Sequence, residues 1–121
     1  MNDLTTTVDT YLAAWNETDQ DQRAVLIEKA WAADGRLIDP PLAAAGHTGI
    51  DEMTATMQEH FPGHYFRRTS GIDTHHDHLR FAWELVGPDG TVAIAGIDVG
   101  ELADDGRLRH ITGFFGDLPA A

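Results

Sequence analysis

At Pro62 and Gly63 the periodicity of the sequence changes, and that change restricts the folds open to the chain. Upstream, apolar residues recur mostly at helical spacing; downstream they fall into β-rich runs, "HYFRRTSGID", "HLRFAWELV", "TVAIAGIDVGEL" and "RLRHITGFF". Leu4, Val8, Tyr11, Leu12 and Trp15 mark a first helix over roughly 3–17, with Asn2 and Asp3 as suitable N-caps. A second helix is predicted to begin near "DQD" at 19–21, to carry Val25, Leu26, Ala30 and Trp31, and to stop at Gly35. "RLID" at 36–39 reads as a short strand halted by Pro40 and Pro41. Thr48 followed by Asp51 has the form of a capping box, and Ile50, Met53, Met57 and Phe61 then mark one face of a third helix.

Among the later strands, "GPDG" at 87–90 and "ADDG" at 103–106 are hairpin turns, whereas "THHDH" at 74–78 carries no such turn signature. The order is therefore helix, helix, strand, helix, then four strands joined largely as an antiparallel meander. This is an α+β chain, predicted as a single domain over 1–121, in which a curved, mainly antiparallel sheet wraps around its helices in a cone. Such a sheet closed by helices at one end leaves a concave apolar pocket, where small ligands bind.

Composition removes several functional classes. Twenty acidic residues against eight basic ones give a formal charge of −12, which repels nucleic acid and anionic membranes, and no basic cluster exceeds "RR" at 67–68. No stretch approaches the length of a membrane span, and "MNDLTTT" has no basic n-region or apolar h-region, so a cytoplasmic location is the default expectation. Without cysteine, thiolate chemistry and thiolate zinc sites are excluded. The glycine-containing turns lack phosphate-binding spacing, and no serine nucleophile motif occurs.

The chemistry-bearing candidates are few. In the run "VAIAGIDVG" at 92–100, Asp98 is the single polar side chain, so both faces of the strand are otherwise apolar and burial of Asp98 is expected. A carboxylate buried there must find a strong partner or keep its proton, and a protonated carboxyl is a hydrogen-bond donor. The plainer alternative is a structural aspartate at a bulge beside Gly96 or Gly100. Asp39 ends the first predicted strand, where it serves either a pocket mouth or a turn before Pro40. Tyr11 lies on the apolar stripe of the first helix, as a core tyrosine or as a donor into the pocket. Trp15, Trp31, Met57, Phe61, Trp83, Ile111 and Phe115 are candidate pocket walls, or else plain core. The cluster His75, His76 and His78 invites a metal reading. On a strand, however, at most two of these side chains with Asp77 converge on either face, and a usable site needs three ligands, so no metal is expected. One of these histidines is still a candidate to enter the pocket as a general acid.

"YLAAWN" at 11–16, "RLIDP" at 36–40 and "AGIDV" at 95–99 together resemble segments of the bacterial Δ5-3-ketosteroid isomerases, within the nuclear transport factor 2-like (SnoaL-like) superfamily. "GHTGIDEM" and "GRLRHITGFFG" extend the resemblance over nearly the whole chain. It implies the cystatin-like fold and a cofactor-free enzyme. Asp39 is then the base that moves a proton next to a carbonyl, and Tyr11 and a protonated Asp98 donate to the enolate oxygen, the division of labour for which ketosteroid isomerase is the standard example. It also implies a homodimer formed through the open face of the sheet. The family's additional tyrosines are matched here by Trp31 and Thr54, so a polar chain behind Tyr11 is missing or rebuilt.

The expected activity is thus that of an isomerase or cyclase acting on a small apolar carbonyl compound. The competing function is a non-catalytic ligand-binding or dimerisation module, since a fold does not by itself assign chemistry. A third, epoxide hydrolysis, needs an arginine between two carboxylates, for which Arg80 is the sole strand candidate.

Overall fold

A computed structural model describes residues 3–121; Asn2, one of the two suggested caps, lies outside them. Helix α1 spans Leu4–Asn16, with Asp3 as its N-cap accepting from the Thr5 amide. Helix α2 spans Gln20–Ala30, opened by Asp19, whose carboxylate accepts from the amides of Asp21 and Gln22. Strand β1 (Trp31–Asp39) and strand β2 (Leu42–Ala45) form a hairpin across Pro40 and Pro41. Helix α3 covers Gly46–His60, and five strands follow: β3 (Tyr65–Arg68), β4 (Asp73–His75), β5 (His78–Val86), β6 (Val92–Leu102) and β7 (Leu108–Phe115).

The strands form one sheet in the order β2-β1-β7-β6-β5-β3, with β4 also paired to β5. β5, β6 and β7 are the expected antiparallel meander, and β1 joins β7 in parallel. Register shifts in β1, β5 and β6 are bulges of the kind that bend a sheet, and this one curves around the helices. Its inner face contributes Leu37, Leu79, Phe81, Trp83, Leu85, Leu108 and Ile111 to a core completed by Val8, Tyr11, Leu12, Ile27, Ile50 and Met53 from the helices.

Several sequence expectations are corrected. The second helix ends at Ala30 rather than Gly35, because Trp31 already has extended dihedrals and pairs with Leu108 of β7. Gly35 is instead a strand residue under the Trp31 indole: a Cβ there would lie 2.5 Å from Trp31 Cε3. The buried stripe of α2 is Arg23, Ile27 and Ala30, whereas Val25 is exposed. The capping box does not form, since Thr48 and Asp51 lie inside α3, which begins after Ala45 without a side-chain cap. Asp51 instead accepts from Arg23 Nε at 2.6 Å and ties α3 to α2. "HYFRRTSGID" is two short strands, β3 and β4, and "THHDH" is a tight turn in which His76 takes a positive φ of 53°.

Candidate active site

The inner positions of β6 are Ile94, Gly96, Asp98 and Gly100, and the alternation that places Asp98 inward leaves Ile97 and Val99 outside. Asp98 is 5% exposed, and no cation pairs with it among the described residues. Two donors reach it. The Tyr11 hydroxyl lies 2.8 Å from Oδ2, and Trp83 Nε1–H donates to Oδ1 at 2.9 Å. Trp83 reaches this position from the neighbouring strand because its cross-strand partner is Gly96, where a Cβ would sit 2.5 Å from the indole. Burial pushes the Asp98 carboxyl up to about 7, against the pull of the two hydrogen bonds, and the nearby Asp39 charge adds to the rise. Burial also raises Tyr11 well above its usual value, and the Asp98 charge adds to this.

Asp39 is half-buried at the end of β1. Burial raises its pKa, while the Leu42 amide, donating to Oδ1 at 3.1 Å, pulls the other way. The turn role and the pocket position coexist in this residue. Gly113 of β7, paired with Asp98, is the point where the two carboxyl residues approach: a Cβ on it would lie 3.0 Å from Asp39 Cβ and 3.1 Å from Asp98 Oδ1. Tyr11, Asp39 and Asp98 all line one cavity of about 480 Å³, a volume suited to a small molecule. Trp15, Met57, Phe61, Trp83 and Phe115 contribute to its largely apolar wall.

No protein-family model matches the chain, and no curated protein matches it. Solved structures do. A protein of the SnoaL-like family from Agrobacterium tumefaciens, provisionally named an isomerase, is 38% identical over 93% of this chain and 97% of its own, with a TM-score of 0.88. The chain belongs to the SnoaL-like family. A protein of unknown function with a cystatin-like fold from Methylobium petroleophilum is 19% identical over 97% of this chain and 78% of that one, with a TM-score of 0.75. A SnoaL-like protein from Jannaschia, provisionally named a polyketide cyclase, is 19% identical over 92% and 85% of the two chains, with a TM-score of 0.69. These last two likenesses concern the fold alone.

In this SnoaL-like chain two of the candidate wall residues stand elsewhere. Trp31 and Ile111 are each 1% exposed and belong to the core behind the site, where Trp31 meets Tyr11 edge-on with ring centroids 5.7 Å apart. Thr54 donates to the Ile50 carbonyl of its own helix, so neither Trp31 nor Thr54 replaces a supporting tyrosine with a hydrogen bond to Tyr11. The support comes from β5 and β6 instead, through Trp83 and Asp98.

None of His75, His76 and His78 lines the cavity, and all three are exposed around the β4–β5 turn. The histidine that does line it is His60, at the end of α3, together with Thr56 one helical turn earlier. Sequence reasoning passed over both; their i, i+4 spacing flanking the apolar Met57 and Phe61 is the signal that marks this end of α3 as a pocket rim. Arg80 faces away from the cavity and pairs with exposed Asp73 at 2.8 Å, which removes the arginine that epoxide hydrolysis requires. Among the described residues no helix is long and apolar enough to cross a membrane, and no group of three His, Asp or Glu side chains is placed to hold a metal ion.

Proposed function

We propose that this chain is a cofactor-free proton-transfer enzyme, an isomerase or cyclase, that binds a small apolar carbonyl compound and works through its enolate. The observation that carries the reading is the cation-free Tyr11–Asp98 pair, buried on the same apolar cavity that Asp39 borders. The isomerase name given to the Agrobacterium relative supports the same reaction class.

In this reading Asp39 takes a proton from the carbon next to the carbonyl. The electrons of that C–H bond move into the carbon–carbon bond, and negative charge develops on the oxygen. Returning the proton to a different carbon gives an isomer; attack of the enolate carbon on a second carbonyl breaks that C=O π bond, and the resulting alkoxide takes the proton back from Asp39 to give a ring alcohol. Trp83 directs the proton of Asp98. Indole N–H only donates, so Oδ1 serves as its acceptor and the acid proton belongs on Oδ2, facing Tyr11. With Asp98 protonated, its O–H donates to the Tyr11 oxygen and the tyrosine proton turns to the substrate, so Asp98 acts through Tyr11 rather than as the second direct donor that the family resemblance implies. Hydrogen bonds in such a chain reinforce one another in a site of low dielectric, and losing an oxyanion donor costs about 10²–10³ in rate.

The test is exchange of an α-proton for deuterium across a panel of small cyclic and polyketide-like ketones. Asp39→Asn is expected to fold and to bind enolate analogues like the parent while losing exchange by ~10²–10⁴-fold. A parent protein that never exceeds the exchange rate in acetate buffer sinks the enzyme reading and leaves the binding module.

A further inference from the structure

The cavity has polar groups at two depths. Tyr11 and Asp98 lie at its floor, 3% and 5% exposed, while Thr56 and His60 lie exposed at its rim on α3. Between them the wall is apolar, with Leu12, Trp15, Met57, Phe61, Phe66 and Phe115. A ligand carrying only a carbonyl uses the floor and leaves the rim without a role.

The state of the His60 ring follows from its contacts. His60 Nδ1 lies 2.8 Å from the Thr56 carbonyl oxygen, one turn back in its own helix. A carbonyl oxygen only accepts, so Nδ1 carries a proton, and in its neutral form the ring presents Nε2 as a bare acceptor. Nε2 has no protein hydrogen bond among the described residues, and its ring lines the cavity. Thr56 cannot take over as donor, because its hydroxyl proton already goes to the Glu52 carbonyl at 3.0 Å. The rim therefore offers an acceptor to whatever fills the cavity.

We propose that His60 binds a hydroxyl at the end of the ligand remote from its carbonyl. The substrate class becomes a two-ended one, an apolar skeleton with an enolisable carbonyl at one end and an alcohol at the other. His60 sets specificity here and takes no part in the proton transfer. This inference rests on the placement of the carbonyl at Tyr11 and Asp98 made under the proposed function.

Three matched probes test it: a decalone, the same ketone with an alcohol on the far ring, and the methyl ether of that alcohol, which accepts but cannot donate. Binding is read at pH 7 from the fluorescence of Trp15 and Trp83, which line the cavity. The alcohol is expected to bind roughly 3- to 10-fold tighter than either the ketone or the ether, the range for one neutral hydrogen bond. His60→Phe should erase that preference, read as the ratio of alcohol to decalone affinity within each variant, and His60→Gln, which retains an acceptor, should keep part of it. Saturable decalone binding in both variants shows that the cavity is intact. If the parent binds decalone but gains nothing from the alcohol, or gains as much from the ether, the hydroxyl reading is overturned and the proposed function stands. If the parent neither binds nor exchanges any of the three, both fall together.

Discussion

With its carboxyl pushed up to about 7 mainly by burial, Asp98 titrates far above the ~3.9 of an unfolded aspartate. The sign of the linkage follows. Below pH ~4 both states are protonated and the native protein has the full benefit; as pH rises toward 7 the unfolded chain ionises first, and stability declines until the folded group also loses its proton. About three pH units at ~1.4 kcal/mol each place the loss on the order of 4 kcal/mol. Urea unfolding between pH 4.5 and 8.5 is expected to show this decline, and Asp98→Asn should flatten it. A carboxyl-carbon NMR midpoint near 4 would remove the basis of the effect. At Gly113 the prediction concerns space: Gly113→Ala puts a methyl group 3.0 Å from Asp39 Cβ and 3.1 Å from Asp98 Oδ1. Such overpacking costs about 1–3 kcal/mol. α-Proton exchange should fall by roughly 10-fold if the strain is released by displacing Asp39, as a small misplacement of a reacting group allows. An alanine variant with unchanged exchange and unchanged stability would show that the strands give way there freely.

At the scale of the elements, α2 is tied to α3 by a buried charged side chain. Arg23, 4% exposed, reaches Asp51 at 2.6 Å and the Glu17 carbonyl at 2.9 Å. Gln58 Nε2 on α3 also donates to that carbonyl and to the Trp15 carbonyl, which fastens the end of α1 to the same point. Removing Asp51 strands a buried guanidinium, and Asp51→Ala is expected to cost about 3 kcal/mol in chemical denaturation. Replacing Arg23 as well, in Arg23→Met with Asp51→Ala, should recover part of that loss. Equal destabilisation by the single and the double variant would mean that Asp51 contributes through something other than Arg23. This tie matters to the site because α3 carries the rim residues Thr56, Met57 and His60.

For the whole molecule, the face of the sheet opposite the helices is the surface left to explain. Ile97, Val99 and Phe114 are 45%, 40% and 59% exposed, and Ile97 pairs directly with Phe114 across β6 and β7. Around them the same face carries both signs of charge, in the Arg67–Glu84 pair at 2.7 Å and in Arg80 with Asp73. An apolar centre with a rim of mixed charge is complementary to a second copy of itself, as a two-fold interface requires. We propose that a homodimer forms here. Sedimentation equilibrium should give twice the chain mass, and Phe114→Glu should return a folded monomer; a monomeric parent would end the proposal.

Local chemistry made much of this fold legible. β5, β6 and β7 appear close to where alternation and the turn glycines place them, with Gly90 and Gly106 each at a positive φ of 86°, because a hairpin is specified by the residues that form it. The burial of Asp98 was expected from its apolar run, but only the packing decided which face of β6 turns inward, since Ile97 and Val99 on the other face are 45% and 40% exposed. What the sequence left open depended on partners distant along the chain. Trp31 is extended rather than helical because β7 supplies a parallel neighbour, an interaction that helix propensity does not contain. Asp51 looked like a cap until Arg23 claimed it. The Trp83 donor to Asp98 depended on the register of β5 against β6, the His60 rim on the packing of α3 against the sheet, and Ile111 passed from wall to core through that packing. Periodicity fixes which residues share a face of one element, whereas a cavity is made by several elements meeting, so its membership is decided only once their packing is.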